Sequence, residues 1–301
     1  MPLRDSLCVI ARRRSAPTGN LLYKPSSIPI HRIQRMDRKG GQHMARLEDS
    51  IAVFDSGLGG ISVLRELVRQ MPGEHFLYFG DSANAPYGCR TAQQVQALTM
   101  ARIAALMPRG LKAVVVACNT ATSVSIDALR SRYPDTIIVG IEPALKLAVR
   151  RHPAGRIIVM ATEVTLREKK FTALMEQYRH THDIVPLPCP RLVEFVERGE
   201  LDGAEPEEYL RQTLLPQLNG ETCAVILGCT HFPFLRPVIS RLVGAEIEIM
   251  DGGEGTALQT KRRLAEAGLL RADGTGSVTI ENSRNTPEIL ARCQQLLTMP
   301  G

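Results

Sequence analysis

Nowhere in the 301 residues do two cysteines form a CxxC pair, although seven are present, at positions 8, 89, 118, 189, 223, 229 and 293. An odd, unclustered set in a chain of this size excludes a disulfide framework and a cysteine-built zinc site. No apolar run reaches the roughly 18 residues of a membrane span. The opening "MPLRDSLCVIARRRSAP" has arginines but no apolar core for a secretory signal. A cytoplasmic protein with no membrane partner is therefore the expectation. The glycine-rich "DSGLGG" (55–60) lacks the Gly-Lys-Ser/Thr of a Walker loop and the glycine spacing of a dinucleotide fingerprint. Nothing suggests a metal or pyridoxal phosphate site, and no cofactor is expected.

The folded body also lacks net charge. Residues 1–49 hold ten Lys and Arg against four Asp and Glu, which is all of the formal +6; 27 residues of each sign remain beyond them. A neutral body argues against a nucleic-acid partner. Residues 1–49 read as a disordered or non-native basic leader, with Met44 after "GGQH" an attractive start. A transit peptide is the sharper alternative, opposed by Asp5, Asp37 and the missing amphipathic pattern.

What is present is an alternation of apolar runs and amphipathic stretches, in a chain with 44% hydrophobic residues. "IAVFD", "HFLYFGD", "KAVVVAC" and "TIIVGI" read as strands. "SVLRELVRQM", "TAQQVQALTMARIAALM" with Thr91 as N-cap, and "ATSVSIDALRSRY" read as helices. The plan then repeats, with strands "RIIVMAT", "DIVPLPC" and "CAVILGC" and helices "LREKKFTALMEQYRH", "PRLVEFVERG" and "PEEYLRQTLLPQL". Continuous apolar strands with helical crossovers imply parallel sheets covered on both faces. The expected fold is two pseudo-symmetric open parallel-sheet α/β domains with the active site between them.

In such sheets ligands sit beyond the carboxyl ends of the strands. "DSGLGG", "GDSANAPYG" (80–88), "ACNTAT" (117–122) and "GCTHF" (228–232) all fall there. The glycine-rich turn is either only a tight turn or a set of N–H groups for a substrate carboxylate. Cys118 and Cys229 close equivalent strands. Cys118 stands beside Asn119, Thr120 and a helix start, which would lower its thiol pKa; Cys229 is flanked by Thr230 and His231. One cysteine with a histidine suggests a covalent nucleophile. Two thiols facing one ligand suggest proton removal from one side of a carbon and proton donation on the other, which inverts the centre without a cofactor.

"FDSGLGGISVLREL", "YFGDSANAPYG", "VVACNTAT" and "VILGCTHFPFL" together resemble the bacterial glutamate racemases of the aspartate/glutamate racemase superfamily, from about Ile51 to Gly255. The resemblance implies a cofactor-independent two-base isomerase that interconverts L- and D-glutamate for peptidoglycan synthesis, and so for cell-wall biogenesis and cell shape. It implies Cys118 and Cys229 as the acid/base thiols, Asp55 supporting Cys118, and His231 and Glu197 supporting Cys229. It also implies substrate contacts from Asp55, Ser56, Pro86, Tyr87, Gly88, Asn119, Thr120, Thr162 and Thr230 beside the thiols and His231. The implied domains are 50–143 with 256–301, and 144–255 between them. A homodimer is an open possibility.

Two positions depart from the family pattern. Val164 stands where the family has glycine, and a valine there would restrict the loop backbone; Phe171 replaces a hydroxylated aromatic. The alternatives are therefore a racemase for aspartate or another amino acid, a single-thiol lyase, isomerase or amidase of the same superfamily, and a non-catalytic binding module.

Overall fold

The computed structural model describes residues 45–299; most of the expected leader lies outside them. The first unit runs β1 (Ser50–Asp55), α1 (Ile61–Gln70), β2 (His75–Gly80), α2 (Ala92–Leu106), β3 (Leu111–Val116), α3 (Asn119–Arg132) and β4 (Ile137–Gly140). The second runs α4 (Leu145–Arg151), β5 (Gly155–Ala161), α5 (Glu163–Arg167), α6 (Lys169–Tyr178), β6 (His182–Pro188), α7 (Pro190–Arg198), α8 (Ala204–Thr213), β7 (Thr222–Leu227), α9 (Arg236–Val243) and β8 (Glu248–Asp251). The chain then returns to the first unit through α10 (Gly253–Glu266), β9 (Ser277–Asn282) and α11 (Pro287–Thr298).

Every strand pair is parallel. The first sheet has the order β4-β3-β1-β2-β9 and the second β6-β5-β7-β8. Read in the same direction, the second sheet repeats the first four strands of the other: β8, β7, β5 and β6 stand for β4, β3, β1 and β2. Even the irregularity recurs, with a register shift at Ser50/Ile51 between β1 and β3 and at Arg156/Ile157 between β5 and β7. β1 and β3 are buried almost end to end, as strands covered by helices on both faces must be.

The helices follow their apolar spacing. α1 buries Val63, Leu64, Leu67 and Val68. α2 starts at a capping box in which Thr91 and Gln94 exchange side-chain and backbone hydrogen bonds. The single helix expected over "LREKKFTALMEQYRH" is broken: Glu168 takes extended backbone, φ −66° and ψ 135°, between α5 and α6. α10 and α11 pack on α1, and β9 pairs with β2. At the opposite end of the first sheet, Lys112 is fully buried. It pairs with Glu74 at 2.6 Å and donates to the Leu47 and Leu269 carbonyls, so residues 45–49 are tied to the body. Among the described residues no helix is long and apolar enough to cross a membrane.

Candidate active site

β1 and β3 end side by side, as do β5 and β7, and the chemistry collects where these ends meet. A cavity of about 330 Å³ lies between the units, near the lower end of the about 300–1,000 Å³ typical of small-molecule sites. Ser56, Pro86, Tyr87, Gly88, Cys118, Asn119, Thr120, Thr162, Cys229, Thr230 and His231 all line it. Two of the expected site residues do not. Asp55 is fully buried and Glu197 stands behind His231, so neither forms part of the wall.

Cys118 is the N-cap of α3, and its sulfur accepts the Ala121 N–H at 3.4 Å. Its thiol also meets the Ser56 hydroxyl at 3.3 Å. The sequence suggested that this helix start would lower the thiol pKa; the structure corrects that. Burial pushes the Cys118 thiol up to about 12, and the nearby Asp55 charge adds to it. The Ser56 and Ala121 hydrogen bonds pull the other way and lose, because desolvating a thiolate costs more than two weak bonds to sulfur return. At neutral pH Cys118 holds its proton.

Asp55 does not hydrogen-bond Cys118. Its carboxylate accepts the Gly57 N–H at 2.9 Å and the Thr230 hydroxyl at 3.1 Å. Burial raises its pKa, while the His231 charge and these donors oppose the rise. An uncompensated buried carboxylate would cost several kcal/mol, so the Thr230 bond ties the first unit to the cysteine loop of the second.

Cys229 is set differently. A short 3-10 turn, Phe232–Leu235, follows it instead of an immediate long helix. Its sulfur lies 3.6 Å from His231 Nδ1, and His231 Nε2 lies 2.8 Å from Glu197 Oε1. Burial alone would lower the His231 pKa. The Cys229 and Glu197 contacts outweigh it and hold the imidazole well above its ordinary range. Glu197 is desolvated too, yet its pairing with His231 and the Leu58 N–H keeps its pKa below the usual carboxylate value. His231 is therefore an imidazolium between two groups that favour its charge.

The "DSGLGG" turn serves this second cluster. Its N–H groups were candidates for a substrate carboxylate, but Gly57 donates to Asp55, and Leu58 donates to Glu197 at 2.9 Å. A Cβ at Gly57 would stand 2.2 Å from Glu197 Oε1, and one at Gly59 would stand 2.4 Å from His231 Nδ1. Here the missing side chains let a loop of the first unit lie directly on the imidazole and carboxylate of the second. Ser62 adds a further tie, donating to the Thr230 carbonyl at 2.9 Å.

Three threonines bridge the units on another wall. Thr120 Oγ1 lies 3.0 Å from Thr162 Oγ1 and 3.3 Å from Thr165 Oγ1. Val164 lies within α5, is not part of the cavity wall, and is not among the positive-φ residues. The restriction expected of a valine there falls on helical backbone, away from the cavity wall. Phe171 is buried in the core of the second unit with Ile157, Val159 and Ile226.

Sequence reasoning missed Asp81 and part of the wall. Asp81 is buried at the end of β2 and accepts from the Tyr87 hydroxyl at 2.9 Å and from Asn84, so it shapes the 81–90 loop. The unforeseen wall residues Pro190, Val193 and Glu194 stand at helical spacing with Glu197 in "PRLVEFVE", a signal readable from the sequence. Glu163 and Glu194 bring carboxylates to the exposed rim, and among the described residues no lysine or arginine lines the cavity.

The sequence profile of the Asp/Glu/Hydantoin racemase family matches residues 51–260. A curated glutamate racemase of Clostridium botulinum (strain Alaska E43 / Type E3) is 48% identical over 248 residues, covering 82% of this chain and 96% of that protein. The crystal structure of glutamate racemase from Thermus thermophilus, in complex with beta-chloro-D-alanine, superposes with a TM-score of 0.71 at 31% identity, over 84% of this chain and 94% of that one. Escherichia coli glutamate racemase, in complex with L-glutamate and activator UDP-MurNAc-ala, gives a TM-score of 0.70 at 29% identity, over 82% and 94% of the two chains. The chain belongs to the Asp/Glu/Hydantoin racemase family.

Proposed function

We propose that this member of the family is a cofactor-independent isomerase that interconverts L- and D-glutamate with two cysteine acid/base groups. One observation carries the reading: Cys118 from one unit and Cys229 from the other line a single cavity. A carbanion formed at the α-carbon is planar, and each thiol addresses one of its faces. In one direction the Cys229 sulfur, with the His231 imidazolium beside it, takes the α-proton while protonated Cys118 donates to the opposite face. The reverse direction exchanges the two roles.

The remaining wall supports an amino-acid substrate. Asn119 Oδ1 is buried without a hydrogen-bond partner among the described residues, and a substrate ammonium can donate to it. Left unpaired it costs about 1–3 kcal/mol. The same ammonium, placed near Asp55 and Cys118, favours the ionised form of both. The Thr120, Thr162 and Thr230 hydroxyls and the N-terminal N–H groups of α3 suit the substrate carboxylates. In this reading the protein works in the cytoplasm, and its D-glutamate supplies peptidoglycan synthesis.

The test is solvent-deuterium exchange at the α-carbon of L- and D-glutamate, with aspartate in parallel. Wild type should racemise glutamate. Cys118→Ala and Cys229→Ala should each lose about 10²–10⁴-fold of that rate while still exchanging one enantiomer, a different one for each variant. Neither exchange nor racemisation of glutamate by wild type would end the glutamate reading, and turnover of aspartate instead would redirect it.

A further inference from the structure

We infer that Arg292, on the C-terminal helix of the first unit, is a positioning residue for the second thiol: it fixes the last turn of α7 so that Glu197 holds His231 against Cys229. The inference rests on the roles proposed above for Glu197, His231 and Cys229.

The last carbonyls of a helix lack partners within it. At the end of α7 the Val196 carbonyl accepts the Gly199 N–H at 3.0 Å and the Phe195 carbonyl accepts the Glu200 N–H at 2.8 Å. The Glu197 carbonyl is taken by Arg292, whose Nη1 donates to it. Gly199, at φ +79°, makes room for the guanidinium. A Cβ there would stand 3.0 Å from Arg292 Cζ, in a backbone region that itself favours glycine. A cation at a helix C-terminus also complements the helix dipole.

That contact falls on the backbone of the residue whose carboxylate carries the second thiol's support. Glu197 Oε1 serves two donors at once, Leu58 N–H at 2.9 Å and His231 Nε2 at 2.8 Å. Hydrogen bonds weaken steeply as their angle closes, so a small rotation of the last turn would loosen both. Glu197 is the next-to-last residue of a nine-residue helix, and apart from His231 its anchors, the Leu58 N–H and Arg292, come from the first unit. The charged and titratable groups around the Glu197–His231 pair are Cys229, Asp55 from β1, Tyr78 from β2, Arg284 from the segment after β9, and Cys293 beside Arg292 on α11. The first thiol has no comparable link to α11 among the described residues, so the C-terminal helix bears on one half of the reaction.

The experiment compares wild type, Arg292→Ala and Arg292→Lys as full-length chains. One reading is the NMR titration of the His231 imidazole, assigned with His231→Asn; the other is kcat and KM for glutamate. In Arg292→Ala the His231 titration should move down toward the ordinary histidine range. kcat should fall about tenfold, equivalent to about 1.4 kcal/mol, with KM changed less than kcat. Arg292→Lys, which keeps the cation, should recover most of both. An Arg292→Ala protein with a lower melting temperature but an unchanged His231 titration would overturn the inference, whatever its rate. If Arg292→Ala does not fold, Arg292→Met keeps the stem and carries the same two readings. Because the titration needs no substrate, it decides the positioning role even if the wild type racemises no glutamate.

Discussion

The ends of β3 and β7 carry the same residue in the same place, and their surroundings have diverged. Cys118 caps a 14-residue helix, touches a hydroxyl and keeps its proton because it is buried. Cys229 precedes a short turn and has an imidazolium and a carboxylate in line behind it. The second unit lacks a counterpart to Asp55: Ala161 ends β5 where Asp55 ends β1. The repeat of the fold brings one thiol from each unit to a single cavity, and divergence of the loops gives the two thiols unlike neighbours. Because the two enantiomers are mirror images, their equilibrium constant is unity, and kcat/KM must be equal in the two directions. Unequal thiol surroundings can therefore appear only in how each direction divides between kcat and KM, and in which step responds to isotopic substitution.

The largest expected effect comes from removing the imidazolium. His231→Asn should lower kcat/KM about 10²-fold in both directions. With α-deuterated substrate its isotope effect should grow for one enantiomer only, the one whose deuteron Cys229 removes. Ser56→Ala removes the hydroxyl beside Cys118, a hydrogen bond worth about 0.5–1.5 kcal/mol, and should cost about two- to tenfold. Its isotope effect should grow for the opposite enantiomer. Growth for the same enantiomer in both variants would break the assignment of one helper to each thiol. A separate effect is on stability in alkali. The buried Cys118, Cys189 and Cys293 thiols are each raised from 9.0 to about 12, so the unfolded chain loses these protons first. Stability should fall as pH rises from about 9 toward 12, read as a declining urea midpoint. A flat midpoint across that window would mean these thiols are not protected.

Much of this was legible in the sequence. Fully buried parallel strands are continuous apolar runs, so β1, β3, β5 and β7 stood out, and with them the loops after β1, β3 and β7. The repeat was visible as a second run of strands and helices, with Cys118 and Cys229 closing equivalent strands. The lost elements have weak signals for physical reasons. β8, "EIMD", is a four-residue edge strand with a charge at each end, and the seven-residue α4 is too short for a helical period to declare itself. The break at Glu168 is one residue of extended backbone, which apolar spacing cannot register. The direction of the Cys118 shift was misread because neighbours in sequence announce a helix start, whereas burial is a property of the whole fold. The Thr230 partner of Asp55 and the Glu197 partner of the Leu58 N–H were hidden for the same reason: each lies more than 130 residues away, in the other unit.

Among the described residues the cavity wall contains hydroxyls, an amide and helix-start N–H groups but no lysine or arginine. Apart from His231 and the two rim carboxylates, such a wall makes no fixed commitment to the charge of its occupant. An ion pair must be rebuilt whole when a substrate changes, whereas a hydroxyl can be moved by one rotamer or one turn of loop. A family whose description spans two acidic amino acids and hydantoin has use for that latitude, because a wall of hydroxyls is refitted one side chain at a time.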